Sequence, residues 1–571
     1  MLQEGAKTWF KINGIALIVG IAGGLGAILL RLTIDIVYEL FFGILLPHIT
    51  FMVGRYNLGI VILPTLGGLI VGPIIHAVAP ETRGHGVPEV VDAVHRLGGR
   101  IRGRVAAIKI LVSSITIGSG GSVGREGPIG QIGAAVGSFL GSAFKLSDSH
   151  VRLMVVCGLA AGISGTFVSP LGGAIFGIEV VYRGLAPHDV VPIFVASVVG
   201  EIVTGIVFGL RPPFSTPQYV IHNPVELVYF LPIGLVFGHL AIAWTRLLYL
   251  SEDIFDGLNV MGWAKPAIGG LMIGVMGMLL FDYGVLGVDY GVMESAIAGK
   301  IPFFILLLVG VLKIMSTGIT VGSGGSGGIF APSLYIGAML GAAFAPFISR
   351  LPYAPSQPSI YGLVGMAALF AGAAKAPLTC IVMLPEITDN YYLLPVLMLA
   401  CSASYFVSAV LMDGSIYTIK LKRRGVDIDT LIDPLKLVDV DEIMTPAEKV
   451  ISLKEDTPAS VASFMFWETK HMGFPVLKDE RIVGLVTLEQ LREIPDIELE
   501  STLVGDICLR DVVYAHPDET ADSVIDNMSR QSQEMLPVVG AGDEGRMLGV
   551  VSRIDTLKAL ELSKKKVNLF G

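Results

Sequence analysis

Charge is what this chain has least of. Only 16% of its 571 residues are Asp, Glu, Lys or Arg, while 53% are hydrophobic and the mean hydropathy is +0.70. That balance excludes a soluble globular protein of this length and points to a polytopic membrane protein. Cysteine is nearly missing too. Cys157, Cys380, Cys401 and Cys508 are scattered, which excludes a disulfide framework or cysteine-paired metal site and leaves four small buried hydrophobes. There is no His-Glu-x-x-His, and the glycine-rich turns lack the Lys-Ser/Thr of a phosphate loop. Zinc-hydrolase and phosphate-loop chemistry are therefore not expected, and the chain does not read as an enzyme. No metal, required cofactor or nucleic-acid partner is expected either.

What is abundant is glycine, and its placement is not random. Gly118-Ser-Gly-Gly-Ser-Val-Gly-Arg-Glu-Gly-Pro128 recurs as Gly322-Ser-Gly-Gly-Ser-Gly-Gly-Ile-Phe-Ala-Pro332, 204 positions later, and the match extends to Lys109/Lys313, Gly133/Gly337 and Gly137/Gly341. A second block, Gly158 to Glu179, aligns with Gly365 to Glu386 at an offset of 207, pairing Pro170 with Pro377. The apolar part is thus two related halves. Glycine-broken segments at matching positions point to a substrate site between them. Small-residue turns leave amides free to point inward, and a helix starting near Pro128 adds its positive end, so such a place attracts anions. Glu126 brings its own anionic carboxylate there. It can occupy an anion site and leave it when protonated or displaced, which would make it a gate; the plain alternative is a surface acid at a helix start. For Gly133 and Gly137 close helix packing is the better reading.

Apolar stretches begin around Ile12 to Leu30 with no cleavage-site pattern behind them, so a retained first membrane helix is expected. Several later segments are too short, or too interrupted, to be simple spanning helices, as at Gly84 to Pro88; broken helices are tolerated only inside protein or along a cavity. Basic clusters at His95 to Arg104 and Lys420 to Arg424 mark the cytoplasmic side. From about Asp439 the pattern becomes soluble α/β, repeated with a period of about 63 residues: Phe474-Pro-Val returns as Leu536-Pro-Val, and Gly484-Leu-Val-Thr as Gly549-Val-Val-Ser. Each copy reads as helix, strand, strand, helix.

Gly124-Arg125-Glu126-Gly127-Pro128, Gly328-Ile329-Phe330-Ala331-Pro332 and Ser415-Ile416-Tyr417 resemble the signature stretches of the CLC family of chloride channels and chloride/proton antiporters, and the tail resembles a pair of CBS domains. The resemblance implies a polytopic α-helical membrane protein with two inverted-repeat halves containing broken helices, plus a cytosolic α/β CBS-domain pair. The membrane domain is expected over residues 1–435, with halves at roughly 10–220 and 225–425, followed by CBS domains at 440–500 and 505–571. It implies that Glu126 gates, that Gly124, Arg125, Gly127, Ile329 and Phe330 surround the anion, and that Tyr417 turns its hydroxyl toward it. His85 stands where the family commonly has a serine that contacts the inner anion, so His85 either lines that entry and makes it pH-sensitive or turns its ring away. Many proton-coupled members have two consecutive acids where this chain has Glu179-Val180. An apolar Val180 cannot carry a proton, so the expectation leans to a voltage- or pH-gated chloride channel, with a chloride/proton antiporter as the alternative. For Glu179 the favoured reading is a helix-end carboxylate bonded to backbone N–H groups. A magnesium transporter with a CBS tail would want acids along its pore and is not favoured. In the tail, Ser552 and Asp555 fit a pattern that holds phosphate and ribose, so an adenine nucleotide there is one reading and a purely structural tail the other. Chloride or a similar small anion, protons, membrane lipid and a second copy of the chain are the partners implied, in a multi-pass, cell-membrane setting with the tail in the cytoplasm.

Overall fold

The computed structural model describes residues 2–568 apart from 185, 215, 356, 427, 429–434, 436–437, 480, 532 and 541–542. It divides into two units, Met1–Ile428 and Asp429–Gly571. Among the described residues the first is helical but for the small hairpin of β1 (Met52–Val53) and β2 (Tyr56–Asn57). Its first half runs α1 (Leu2–Tyr38), α2 (Leu46–His48), α3 (Gly59–Ala77), α4 (Val87–Arg96), α5 (Arg104–Gly118), α6 (Glu126–Ala143), α7 (Asp148–Phe167), α8 (Pro170–Phe176) and α9 (Pro187–Phe208). The second runs α10 (Phe230–Gly257), α11 (Lys265–Leu279), α12 (Tyr290–Ile297), α13 (Phe303–Gly322), α14 (Phe330–Ile348), α15 (Ser359–Ala374), α16 (Pro377–Thr388), α17 (Leu394–Leu411) and α18 (Thr418–Arg423). Among the described residues nine helical stretches are long and apolar enough to cross a bilayer. Others stop short: α8 continues as a π-helical stretch to Tyr182, and the whole of Pro170–Tyr182 reaches about 20 Å against a hydrocarbon core of about 30 Å.

The breaks follow from local chemistry that both halves share. Helices α5 and α13 end in glycine turns in which Gly120 and Gly324 both have φ of +106°, a conformation closed to side-chain-bearing residues at reasonable cost. Helices α8 and α16 begin at Pro170 and Pro377, where the missing N–H would be unpaired in any case. Just before them Val168 and Lys375 close α7 and α15 in the left-handed region, at φ +53° and +54°. A β-branched residue rarely adopts that conformation, so surrounding packing must hold it. Packing between the helices is equally matched. A Cβ on Gly133 would lie 2.0 Å from the Gly158 oxygen, and one on Gly337 2.3 Å from the Gly365 oxygen, so α6 meets α7, and α14 meets α15, backbone against backbone. Helix α15 is buried at every residue, as a helix apolar all round must be.

The second unit carries a sheet of order β3-β8-β6-β5-β4 with β7 also on β8: β3 (Thr445–Pro446), β4 (Leu453–Lys454), β5 (Gly473–Lys478), β6 (Arg481–Thr487), β7 (Met535–Gly540) and β8 (Asp543–Ser552). Each copy is a helix, an antiparallel strand pair and a helix: Ala459–Thr469, β5, β6, Leu488–Arg492, then Ala521–Gln531, β7, β8, Arg553–Asn568. Each has its own core, built on Phe466, Phe474 and Val476 in the first and on Val524, Met528 and Leu536 in the second.

Candidate functional site

Three loops meet inside the first unit: 82–86, 118–125 and 322–329. The second and third exchange bonds reciprocally. The Gly124 N–H donates to the Gly328 oxygen at 2.8 Å and the Gly328 N–H to the Gly124 oxygen at 2.6 Å, in antiparallel sense. The Ser122 N–H donates to the Thr320 hydroxyl at 3.2 Å and the Ser326 N–H to the Thr116 hydroxyl at 3.3 Å. Each of these pairs equivalent positions, so the two halves face each other across a local two-fold axis. Loop 82–86 is stitched on by Gly84 N–H to Gly325 O at 3.0 Å and Gly327 N–H to Gly84 O at 3.2 Å. Fully buried Lys109 secures it from below, donating to the Thr82 and Gly84 oxygens at 2.9 Å each.

Glu126 sits at this junction as the first residue of α6, only 3% exposed. Its Oε2 lies where a Cβ on Gly124 would be 2.0 Å away and one on Gly328 3.1 Å away, so glycine in both halves makes room for it. The Ala331 N–H of the other half donates to Oε2 at 3.5 Å, and the Arg125 and Glu126 amides also face the carboxylate. Oε1 is buried without a partner among the described residues. Beside the carboxylate lies a small cavity lined by Val87, Gly127, Ile163, Phe167, Phe176, Phe330, Met383 and Tyr417. Phe330, one of its walls, has its ring centroid 4.5 Å from that of Phe370 and 5.1 Å from that of Phe167. Val87, Gly127, Phe330 and Tyr417 of this lining stand at the starts of α4, α6, α14 and α18, where helices carry their positive ends. An apolar hollow with helix starts and one hydroxyl around it can replace part of an anion's hydration without a full positive charge that would trap it.

The other sequence-predicted residues are distributed unevenly. Tyr417 is buried at the start of α18 and lines the cavity. His85 is 1% exposed, with its ring 5.6 Å from that of Tyr417 and its Nδ1 unpartnered. Ile329 precedes α14, buried. Arg125 lines a neighbouring cavity instead, with Arg31, Thr166, Thr204 and Phe208. Gly124 stands beside the carboxylate, with its own N–H donated to the Gly328 oxygen. Val180 is 5% exposed and adds no polar group. Its neighbour Glu179 accepts from the Leu378 and Thr379 amides at 3.0 and 2.7 Å and from the Thr379 hydroxyl at 2.6 Å. Glu386 mirrors it, accepting from Leu171 and Gly172 amides and the Ser169 hydroxyl. Each acid therefore caps the broken helix of the opposite half. In the tail Asp555 accepts from the Ser552 N–H at 3.0 Å and its hydroxyl at 2.7 Å, and Gln490 does the same for Thr487 at 2.8 and 2.6 Å. Lys558 also reaches Asp555, at 2.6 Å. Sequence reasoning missed Phe167, Phe176 and Phe370 around the hollow, and Tyr290, which faces Glu126 from α12.

Comparison with known proteins places the fold. The "Voltage gated chloride channel" family model matches residues 67–409. The chain belongs to the CLC family. The CBS model matches 440–495 and 504–562 in this CLC protein. Similar relatives include a ClcB-like chloride channel protein of Ralstonia nicotianae, 30% identical over 64% of this chain and 86% of that one. Another is the H+/Cl− exchange transporter ClcA of Vibrio parahaemolyticus, 30% identical over 61% of this chain and 76% of that one. Among solved structures, a slow cyanobacterial Cl−/H+ antiporter is 25% identical with a TM-score of 0.64, covering 73% of this chain and 97% of its own. A eukaryotic CLC transporter shares the fold across 96% of this chain at a TM-score of 0.60 and 18% identity. The chain is a multi-pass anion-transport protein. The exchangers among these relatives favour the antiporter alternative over the channel that Val180 suggested.

Proposed function

We propose that this CLC protein exchanges chloride for protons, with the Glu126 carboxylate as a removable plug in the anion path. The observation that carries the reading is the seat itself: Oε2 is lodged between glycines of the two halves and an amide of the second, while Oε1 is unbonded among the described residues. A carboxylate held by few, long bonds can be displaced by a chloride that takes the same amides. Protonation removes its charge and frees the place. The same residue thus handles both ions, Tyr417 and Gly127 lining the next anion position and His85 standing beside Tyr417. In this reading the tail lies in the cytoplasm and two copies of the chain assemble in the membrane, each with its own path. An adenine nucleotide at Ser552 and Asp555 would have to displace the bonds that Asp555 already makes.

The second reading, a passive channel, is favoured by Val180, because no acid stands beside Glu179 to pass protons onward. Both readings share the plug. Glu126→Gln in chloride-loaded liposomes is expected to give anion flux that no longer varies between pH 5 and pH 8 (roughly the range over which buried carboxyls titrate); flux that still rises steeply with acid removes Glu126 from the gate.

A further inference from the structure

We infer that the phenol hydroxyl of Tyr290 holds the Glu126 carboxylate in its seat, and that buried Lys313 positions Tyr290 for that task. The inference rests on the reading of Glu126 as a plug. Its first ground is an imbalance at the carboxylate: Oε2 has amides around it, whereas Oε1 is buried with no partner inside hydrogen-bond reach among the described residues. The phenol of Tyr290 faces that carboxylate. Tyr290 opens α12 and is half-buried, with its ring edge-on to Phe214 at 5.1 Å and 72°. Arg125 and Arg31 face the same phenol, Asp35 lies near Arg31, and Tyr417 faces Glu126 from the start of α18. The Arg125 charge also acts on the carboxylate, but among the described residues no hydrogen bond or ion pair ties the two together; an arginine bonded to it would pin it. A phenol gives one neutral hydrogen bond, which a small movement of the Glu126 side chain would complete and which a competing anion can still break.

The second ground is the loop that delivers Tyr290. Lys313, fully buried on α13, donates to the Gly284 oxygen at 3.0 Å, to the Val285 oxygen at 3.4 Å and to the Gly287 oxygen. Its ammonium lies 4.8 Å from the centre of the Tyr335 ring, and the Tyr335 hydroxyl donates to the Tyr283 oxygen. Asp289 then caps α12 by accepting from the Val292 N–H at 3.1 Å. Burying an ammonium at membrane depth is costly, and here its bonds all go to one short loop. Its counterpart Lys109 does the same for the loop that carries His85. In both halves a buried lysine fixes the loop from which a ring reaches the anion path.

The test is a chloride titration of flux by the full chain in liposomes. Tyr290→Phe keeps the ring against Phe214 and removes only the hydroxyl. Chloride then competes with a less firmly held carboxylate, so half-saturating chloride is expected to fall about fivefold, equivalent to one hydrogen bond of about 1 kcal/mol. Lys313→Met is expected to move it in the same direction, and the double variant no further than Tyr290→Phe alone, since one acts through the other. Neither should matter in a Glu126→Gln background. Unchanged half-saturation in Tyr290→Phe, in a protein whose Glu126→Gln form has lost its pH dependence, overturns this inference and leaves the plug intact. Flux in Glu126→Gln that stays pH-gated overturns both. If Lys313→Met does not fold, Lys313→Arg in its place must be non-additive with Tyr290→Phe; additive shifts overturn the part given to Lys313.

Discussion

Glu126 and Glu179 are both carboxylates at membrane depth, yet their bonding sets them apart. Among the described residues the hydrogen-bond partners of Glu179 are two amides and a hydroxyl from α16, so its removal orphans the N–H and hydroxyl of buried Thr379. Glu179→Ala is expected to cost about 1–3 kcal/mol, read as a lower melting temperature of the purified protein, and Glu386→Ala should cost about as much because its bonds mirror those of Glu179. Glu126→Ala leaves far less unsatisfied and should change flux without lowering that temperature; equal losses for the two acids would contradict this division. Glu126 was legible in the sequence because a lone acid stands in a glycine turn. Tyr290 was not: nothing in the order of residues says that position 290 folds back onto position 126. Nor does a glycine in a motif reveal whether its own amide is free, and that of Gly124 is taken.

At the scale of elements the repeat offsets told the most. Glycines 133 and 137 could be assigned to close packing from the sequence, and the structure puts each against a backbone oxygen of the next helix. Gly133→Ala places a Cβ 2.0 Å from the Gly158 oxygen, so α6 and α7 must separate, at about 1–3 kcal/mol or more. Thermal unfolding should show the loss. The left-handed turns at Val168 and Lys375 left no trace in sequence, since neither residue is a glycine and packing imposes the conformation. In the tail, Asp555 and Gln490 differ chemically but cap their helices alike. Asp555→Ala should therefore cost about 1 kcal/mol, and because its oxygens are engaged, ATP, ADP or AMP added to the full-length protein should leave its unfolding temperature unchanged. A saturable rise would instead establish nucleotide binding by linkage.

For the molecule as a whole, duplication was readable from two runs of matching residues, and the reciprocal Gly124–Gly328 bonds show the two-fold relation that spacing alone leaves open. Whether chloride moves alone or against protons depends on a pathway rather than on one site. Val180 removes one proton carrier, while the relatives named as exchangers favour the antiporter reading. Serine, threonine and bound water can carry protons where no acid stands, so an apolar side chain at one position does not close every route. The most direct measurement uses purified protein in chloride-loaded liposomes, following external chloride and pH together under a chloride gradient. The account predicts uphill proton movement driven by chloride, abolished by a protonophore shunt and absent in Glu126→Gln. Chloride flux that stalls until valinomycin collapses the voltage, with no coupled proton movement, would contradict exchange and leave a channel.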